Sequence, residues 1–228
     1  MAVQSGASAS AEVEALEKSN GAMHAPAAAP PVTPEVVERT IAALRERNVG
    51  VRYVPTKEAA LAAVLEMLPR GARVANGGST SLAQIGLIAT LSNDDSGYEY
   101  LNKVWLNESD TVKRNQLRVA TSLQADYFLG SIQAIVETGE VIAADAGGSR
   151  QGPYVFGPPH IIWVAGINKI VPTLEDGLRR LRQVALPLED QRMKSTGAPG
   201  SRVGKIVIYE WERPNRIELV LVGEPLGF

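Results

Sequence analysis

The chain has 228 residues, 45% of them apolar, which is enough for one domain of ordinary size with a real core and a tail. Its 23 lysines and arginines nearly balance 25 acidic residues and are dispersed, which excludes the basic stripe that nucleic-acid binding by counterion release requires. Zero cysteines and only two histidines exclude disulfides, thiolate nucleophiles and the usual ligand sets of zinc and iron–sulfur centres, so no metal or cofactor is expected and redox chemistry would need a borrowed carrier.

Residues 1–32 are rich in Ala, Ser and Pro and hold few large apolar side chains, so a disordered tail is expected there, with at most a short helix near 11–18. Glu12, Glu14 and Glu17 argue against a transit peptide, and the longest apolar stretches, such as Ile161 to Ile167, fall short of the ~20 residues of a membrane span. A cytoplasmic location is expected. Over 33–228 the pattern is that of an α/β domain. Thr33-Pro34-Glu35 supplies an N-cap, a first-turn proline and an acidic first turn to a helix with Val36, Val37, Ile41 and Leu44 on one face. Val51 to Val54 alternates like a strand, Thr56 caps a second helix, and Arg73-Val74-Ala75 reads as a buried strand leading into Asn76-Gly77-Gly78-Ser79-Thr80. A helix from about Ser81 to Leu91 completes a strand–helix rhythm that predicts a mainly parallel sheet covered on both faces.

The polar stretch Ser92 to Asp110 reads as a surface insertion anchored by Trp105. After a helical segment from Thr111, Ala125 to Ser131 reads as a buried strand, and two short runs joined at Thr138-Gly139 follow. The glycine-rich loop Asp145 to Arg150 leads to a strand from His160 to Ala165; Pro172-Thr173 opens another helix, and two last strands, Lys205 to Tyr209 and Ile217 to Val222, flank a turn at Pro214-Asn215.

Four loops carry candidate chemistry. Glycines between a strand and a helix let backbone N–H groups converge on an anion, which Asn76, Gly77, Gly78, Ser79 and Thr80 fit, although neither the dinucleotide fingerprint nor the P-loop pattern is met; a tight turn with a Ser or Thr cap is the alternative. Gly147-Gly148-Ser149-Arg150-Gln151 lacks the last glycine of a nucleophile elbow, so a serine hydrolase is not expected. Arg150 suits a bidentate grip on a carboxylate or phosphate, or else a salt bridge to Asp145 or Glu137. Asn168 and Lys169 leave a strand that ends in glycine, at the edge where open α/β sheets bind ligands, though a strand-end lysine is commonly just solvated. Glu137 and Asp145 are the loop carboxylates suited to a general base, or to a plain turn. His160 reads as a structural or surface histidine.

Taken in order, Asn76-Gly-Gly-Ser-Thr-Ser-Leu-Ala-Gln-Ile-Gly86, Ala125-Asp-Tyr-Phe-Leu-Gly-Ser-Ile-Gln-Ala-Ile135, Glu137-Thr-Gly-Glu-Val141, Asp145 with Gly148-Ser-Arg150, Gly157-Pro158, Gly166-Ile-Asn-Lys-Ile-Val171 and the terminal Leu221 to Phe228 resemble the lactate-utilisation (LUD) family over roughly Val36 to Phe228. The resemblance implies a three-layer α/β sandwich like that of the NagB, RpiA and CoA-transferase group. It also implies that Gly77, Gly78 and Ser79 form an anion-binding turn, with Glu137, Asp145, Arg150, Asn168 and Lys169 around the same cleft. By the same resemblance the chain would be a non-redox accessory subunit of L-lactate to pyruvate oxidation, binding a small carboxylate or phosphate beside iron–sulfur partner subunits. A stand-alone enzyme or sensor for a phosphorylated or carboxylated metabolite is the alternative, and self-association is left open. Two departures stand out: Met193 to Arg202 lacks the cysteines many members carry there, and Ser149 replaces the usual Asn.

Overall fold

In the computed structural model the described residues are 32–228; the expectations of a tail and of a short helix near 11–18 fall outside them. Helix α1, Pro34–Glu46, begins as its sequence dictates: Thr33 Oγ1 accepts from the Val36 N–H, and Pro34 sits where an N–H would lack a partner anyway. Asn48, at φ 60°, turns the chain into strand β1, Val49–Val54. Thr56 caps α2, Lys57–Met67, in the same way, and β2 follows at Arg73–Asn76. The single helix expected over 81–91 is two, α3 (Thr80–Gln84) and α4 (Leu87–Ser92), because Gly86 takes φ 78° and breaks the turn between them.

The stretch after α4 departs from expectation. It contributes an edge strand, β3 (Glu99–Tyr100), parallel to β2, and a short helix, α5 (Lys103–Leu106). Its anchors are the buried Tyr100, Leu101 and Asn102, not Trp105, whose neighbours Val104 and Leu106 are more than half exposed. Trp105 instead lies under Arg118 of α6 (Thr111–Gln124), with the guanidinium carbon 5.3 Å from its ring centre. The remaining elements are β4 (Tyr127–Gly130), β5 (Ala134–Val136), β6 (Val141–Asp145), α7 (Gln151–Val155), β7 (His160–Gly166), β8 (Ile170–Val171), α8 (Leu174–Arg180), α9 (Leu186–Ser195), β9 (Lys205–Tyr209) and β10 (Ile217–Val222). A π-helical turn, Leu181–Ala185, joins α8 to α9. Pro187 has no N–H for the Gln183 carbonyl and its ring crowds that turn, which accounts for the widened helix.

Six strands form a wholly parallel sheet in the order β1-β10-β7-β4-β2-β3. Its inner strands are apolar on both sides, as a sheet covered on two faces requires; in β7 every residue after His160 is buried. One face packs Val74, Leu129, Ile162 and Val164 against Ala60 and Val64 of α2 and Leu82 and Leu91 of α3 and α4. The other carries Phe128, Trp163, Leu219 and Leu221, joined by Val37 and Leu44 of α1. The architecture is therefore the mainly parallel three-layer α/β sandwich expected.

A second sheet, in the order β8-β5-β6-β9, has no counterpart among the sequence-based expectations. Ile135, Val141, Ala143 and Tyr209 of that sheet enter the same buried cluster as Trp163, while Ala134, Val136 and Ile142 face Leu181 and Ala185 of the π turn. Edge-to-face contacts run from Phe128 through Tyr154 and Trp163 to Tyr209, with ring centres 5.7, 5.6 and 5.1 Å apart, and tie the two sheets together. The last two strands do not form a hairpin: Asn215, at φ 65°, helps send β10 into the middle of the large sheet while β9 extends the small one. Among the described residues no helix is long and apolar enough to cross a membrane.

Gly130 ends β4 where a Cβ would lie 1.7 Å from the hydroxyl of Tyr154, which donates to Ser131 O at 3.1 Å. Gly130→Ala is expected to destabilise the fold by about 1–3 kcal/mol, read as a lower urea midpoint. An unchanged midpoint would contradict this close approach.

Candidate functional site

Loops leaving the carboxyl ends of three neighbouring strands, β2, β4 and β7, meet at one cavity of about 640 Å³, closed on its other side by the β6–α7 loop and the helices after β8. Gly78, Ser79, Thr80, Asp145, Arg150 and Lys169 line it. Lys169 is 1% exposed. Its Nζ donates to Ser131 Oγ at 2.9 Å, Ile132 O at 3.0 Å and Ser81 Oγ at 3.2 Å. All three acceptors are uncharged, so the ammonium is solvated by the protein but not neutralised. Burial pulls its pKa well below the ordinary 10.5, and the positive charges of Arg180 and Arg150 push the same way. Arg180 itself is brought down to about 10 by burial, and donates to the carbonyls of Asn168, at 3.1 Å, and Gln133.

Arg150 and Asp145 form one unit. Burial alone would raise the Asp145 carboxyl, but the Arg150 guanidinium and the backbone N–H groups of Arg150 and Gly148 bring it below its usual value. Asp145 Oδ2 accepts from Arg150 N at 3.0 Å and Arg150 Nε at 3.2 Å. Arg150 also donates to Gly78 O at 3.3 Å and Ala144 O at 2.8 Å, so it pins the turn after β2 to the end of β6. The side chain crosses directly over Gly77, where a Cβ would sit 2.2 Å from its Cγ. Gly77 thus makes room for Arg150 and does not itself line the cavity.

Three other expected site residues stand apart. Glu137 is ion-paired with Arg39 of α1 and is absent from the cavity wall, because the β5–β6 turn that carries it packs toward α1. Asn76 is buried beneath the turn: its Oδ1 accepts from Tyr100 Oη at 2.6 Å and Asn102 Nδ2 at 3.1 Å, which locks the end of β2 to the neighbouring strand. Asn168 holds the terminal segment, accepting from Leu226 N at 3.0 Å and donating to Gly227 O at 3.1 Å. His160 stacks on Tyr127, ring centres 4.7 Å apart, at the opposite end of β7.

The structure also gathers residues that sequence reasoning missed. Ser81 and Ser131 hold Lys169; a polar residue closing the apolar run of β4 is the signal that marks Ser131. Arg118, Arg192 and Arg202 add to the wall, Arg118 donating to Ser149 Oγ at 2.9 Å. The helices that carry Arg118 and Arg192, with the π turn, also bring the apolar Val119, Leu123, Leu181 and Met193 to the wall. Among the described residues no group of three or more His, Asp or Glu side chains gathers as a metal site requires.

An open, mainly parallel sheet with a cation-lined cavity at its carboxyl edge places the chain among α/β domains whose strand-end loops carry whatever chemistry they have. The LUD domain pattern matches residues 37–222, and the chain belongs to that family. The family is associated in general with lactate-utilisation proteins. A DUF162 family protein from Deinococcus radiodurans, known from a crystal structure at 1.70 Å, is 15% identical with a TM-score of 0.50, over 85% of this chain and 100% of that one, a likeness that speaks to the fold. No curated protein matches the sequence.

Because Lys169 has a folded pKa below its unfolded one, the native state binds fewer protons than the unfolded chain between those two values, and stability rises with pH across that window up to 10.5. The slope for one proton is about 1.4 kcal/mol per pH unit at most. Subtracting the profile of Lys169→Met from that of the wild type isolates this rise in chemical denaturation at pH 6–10. A flat difference would mean that Lys169 titrates as a solvated amine.

Proposed function

We propose that the chain binds a small carboxylate- or phosphate-bearing metabolite in this cavity, as a non-redox accessory protein of L-lactate utilisation that acts in the cytoplasm beside electron-carrying iron–sulfur subunits. One observation carries the binding half of this reading. Four guanidinium groups, the Lys169 amine and two side-chain carboxylates line the cavity, and both of those carboxylates are already engaged, Asp145 with Arg150 and Glu189 with Arg192. Arg118 and Arg202 form no ion pair with a carboxylate among the described residues. Uncompensated positive charge in a partly desolvated site favours an anionic occupant far more than the same charges would on an open surface. The Ser79 and Thr80 hydroxyls on the same wall supply further donors.

The accessory role draws on family membership. A self-sufficient enzyme using Glu137 or Asp145 as its base has less support: Glu137 is occupied by Arg39, and a carboxylate held below its usual pKa by Arg150 is a weak proton acceptor.

Thermal melts with inorganic phosphate, L-lactate, pyruvate and sugar phosphates test the binding reading. A ligand at a hundred times its Kd stabilises by about 2.7 kcal/mol, several degrees for a domain of this size. At least one anion is expected to raise Tm in the wild type and to lose most of that shift in Arg118→Ala and Arg150→Ala, while neutral analogues do nothing. No shift from any of these anions would overturn the reading. For the accessory role, affinity capture with the tagged full chain from lactate-grown cells should retain iron–sulfur proteins; capture of none would contradict it.

A further inference from the structure

Lys169 offers more than charge. Ser131 donates its own hydroxyl proton to Val164 O at 2.7 Å, so toward Lys169 and Ser81 it acts as an acceptor. Ser81 Oγ lies 3.1 Å from Ser131 Oγ and gives its proton there. A neutral lysine nitrogen has two N–H bonds, which Ser131 Oγ and Ile132 O take up; its lone pair then faces Ser81, whose hydroxyl turns from Ser131 to donate to it and swings aside when the nitrogen attacks. Ser81 belongs to the cavity wall next to Ser79 and Thr80. The charged side chains that bear on the nitrogen, Arg150 and Arg180, are both cations, and no carboxylate is bonded to it. An amine in that setting loses its proton more readily than a surface lysine and becomes a nucleophile.

We infer that Lys169 forms an imine with a small carbonyl compound that also bears a carboxylate or phosphate, its anionic end seated at the Gly78-Ser79-Thr80 turn beside Arg150. The inference rests on the anion-cavity reading and deepens it by naming the reacting group. The Nζ lone pair attacks the carbonyl carbon and a C–N bond forms. The former carbonyl oxygen takes up a proton, the nitrogen releases one, and Ser81 is the hydroxyl placed to relay it. The resulting carbinolamine then passes its remaining N–H proton to the hydroxyl, the C–O bond breaks with its electron pair leaving as water, and the nitrogen lone pair closes C=N. Amine and carbonyl become imine and water, with no oxidant or reductant, and water reverses the step.

Reductive trapping tests this. The full chain is incubated with pyruvate, with glyceraldehyde 3-phosphate or with uncharged propionaldehyde, in the presence of sodium cyanoborohydride, and adducts are located by intact mass and peptide mapping. One adduct at Lys169 is expected from one or both anionic carbonyls, with about tenfold less labelling of that residue by propionaldehyde. Which of the two reacts distinguishes a carboxylate from a phosphate as the anionic end. Lys169→Arg keeps the cation but cannot form the imine, and Lys169→Met removes both; each should lose the adduct, with circular dichroism reporting whether it folds. Should neither variant fold, mapping of the wild type decides by itself. No adduct, or labelling spread over surface lysines such as Lys57, Lys103 and Lys205, overturns the inference. If inorganic phosphate still raises Tm in that case, the anion cavity stands and only the imine falls; if phosphate also has no effect, both fall.

Discussion

The fold sets one ammonium group at the carboxyl edge of a parallel sheet and surrounds it with neutral acceptors in place of a carboxylate. Burying a charge without a partner of opposite sign costs several kcal/mol unless hydrogen bonds replace the lost water. Here the replacements come from two places distant from Lys169 in the chain, Ser81 in the first turn of α3 and Ser131 with Ile132 after β4, while Lys169 itself sits on the loop after β7. These segments meet only because β2, β4 and β7 are neighbours in a parallel sheet and so end on the same side. Sheet order, more than any single motif, assembles the site.

Arg150 plays the complementary part. Its guanidinium is tied to Asp145, to Ala144 O and to Gly78 O, so the loop after β6 in the small sheet and the turn after β2 in the large one are held as one rim. The aromatic series from Phe128 to Tyr209 fixes the two sheets below that rim. The cavity is held together on its loop side by these bonds, while on its helix side the π turn brings Leu181 and Ala185 to a wall that also carries Arg118, Glu189 and Arg192. Apolar surface beside charged groups suits an occupant with a charged end and a less polar remainder.

Much of the fold is legible in the sequence because its signals are local. Thr33, Thr56 and Thr173 each cap the helix that follows, and unbroken apolar runs such as Ile161 to Ala165 mark strands buried on two faces. What stays hidden depends on partners distant in the chain. Glu137 looks like a loop acid available for chemistry until Arg39, 98 residues earlier, takes it up. Asn76 sits within a glycine turn that reads as a ligand site, yet Tyr100 and Asn102 turn its amide inward. The four-stranded sheet cannot be read locally because β9 joins β6 across the whole of α7 to α9. Lys169 is legible as a residue of the ligand edge, but the pattern gives no sign that it is buried, since its acceptors are two serines and a carbonyl with no charge pattern to betray them.

The central claim, a lysine buried without a counter-charge at the cavity edge, is tested most directly by following the lysine Cε resonances of the isotope-labelled full chain through a pH titration. One resonance should titrate well below the ordinary lysine value of 10.5, disappear in Lys169→Arg, and move its midpoint upward when inorganic phosphate is added. If every lysine instead titrates near that ordinary value, Lys169 is in contact with water or with an acid, and the cavity has no unpaired amine at its edge.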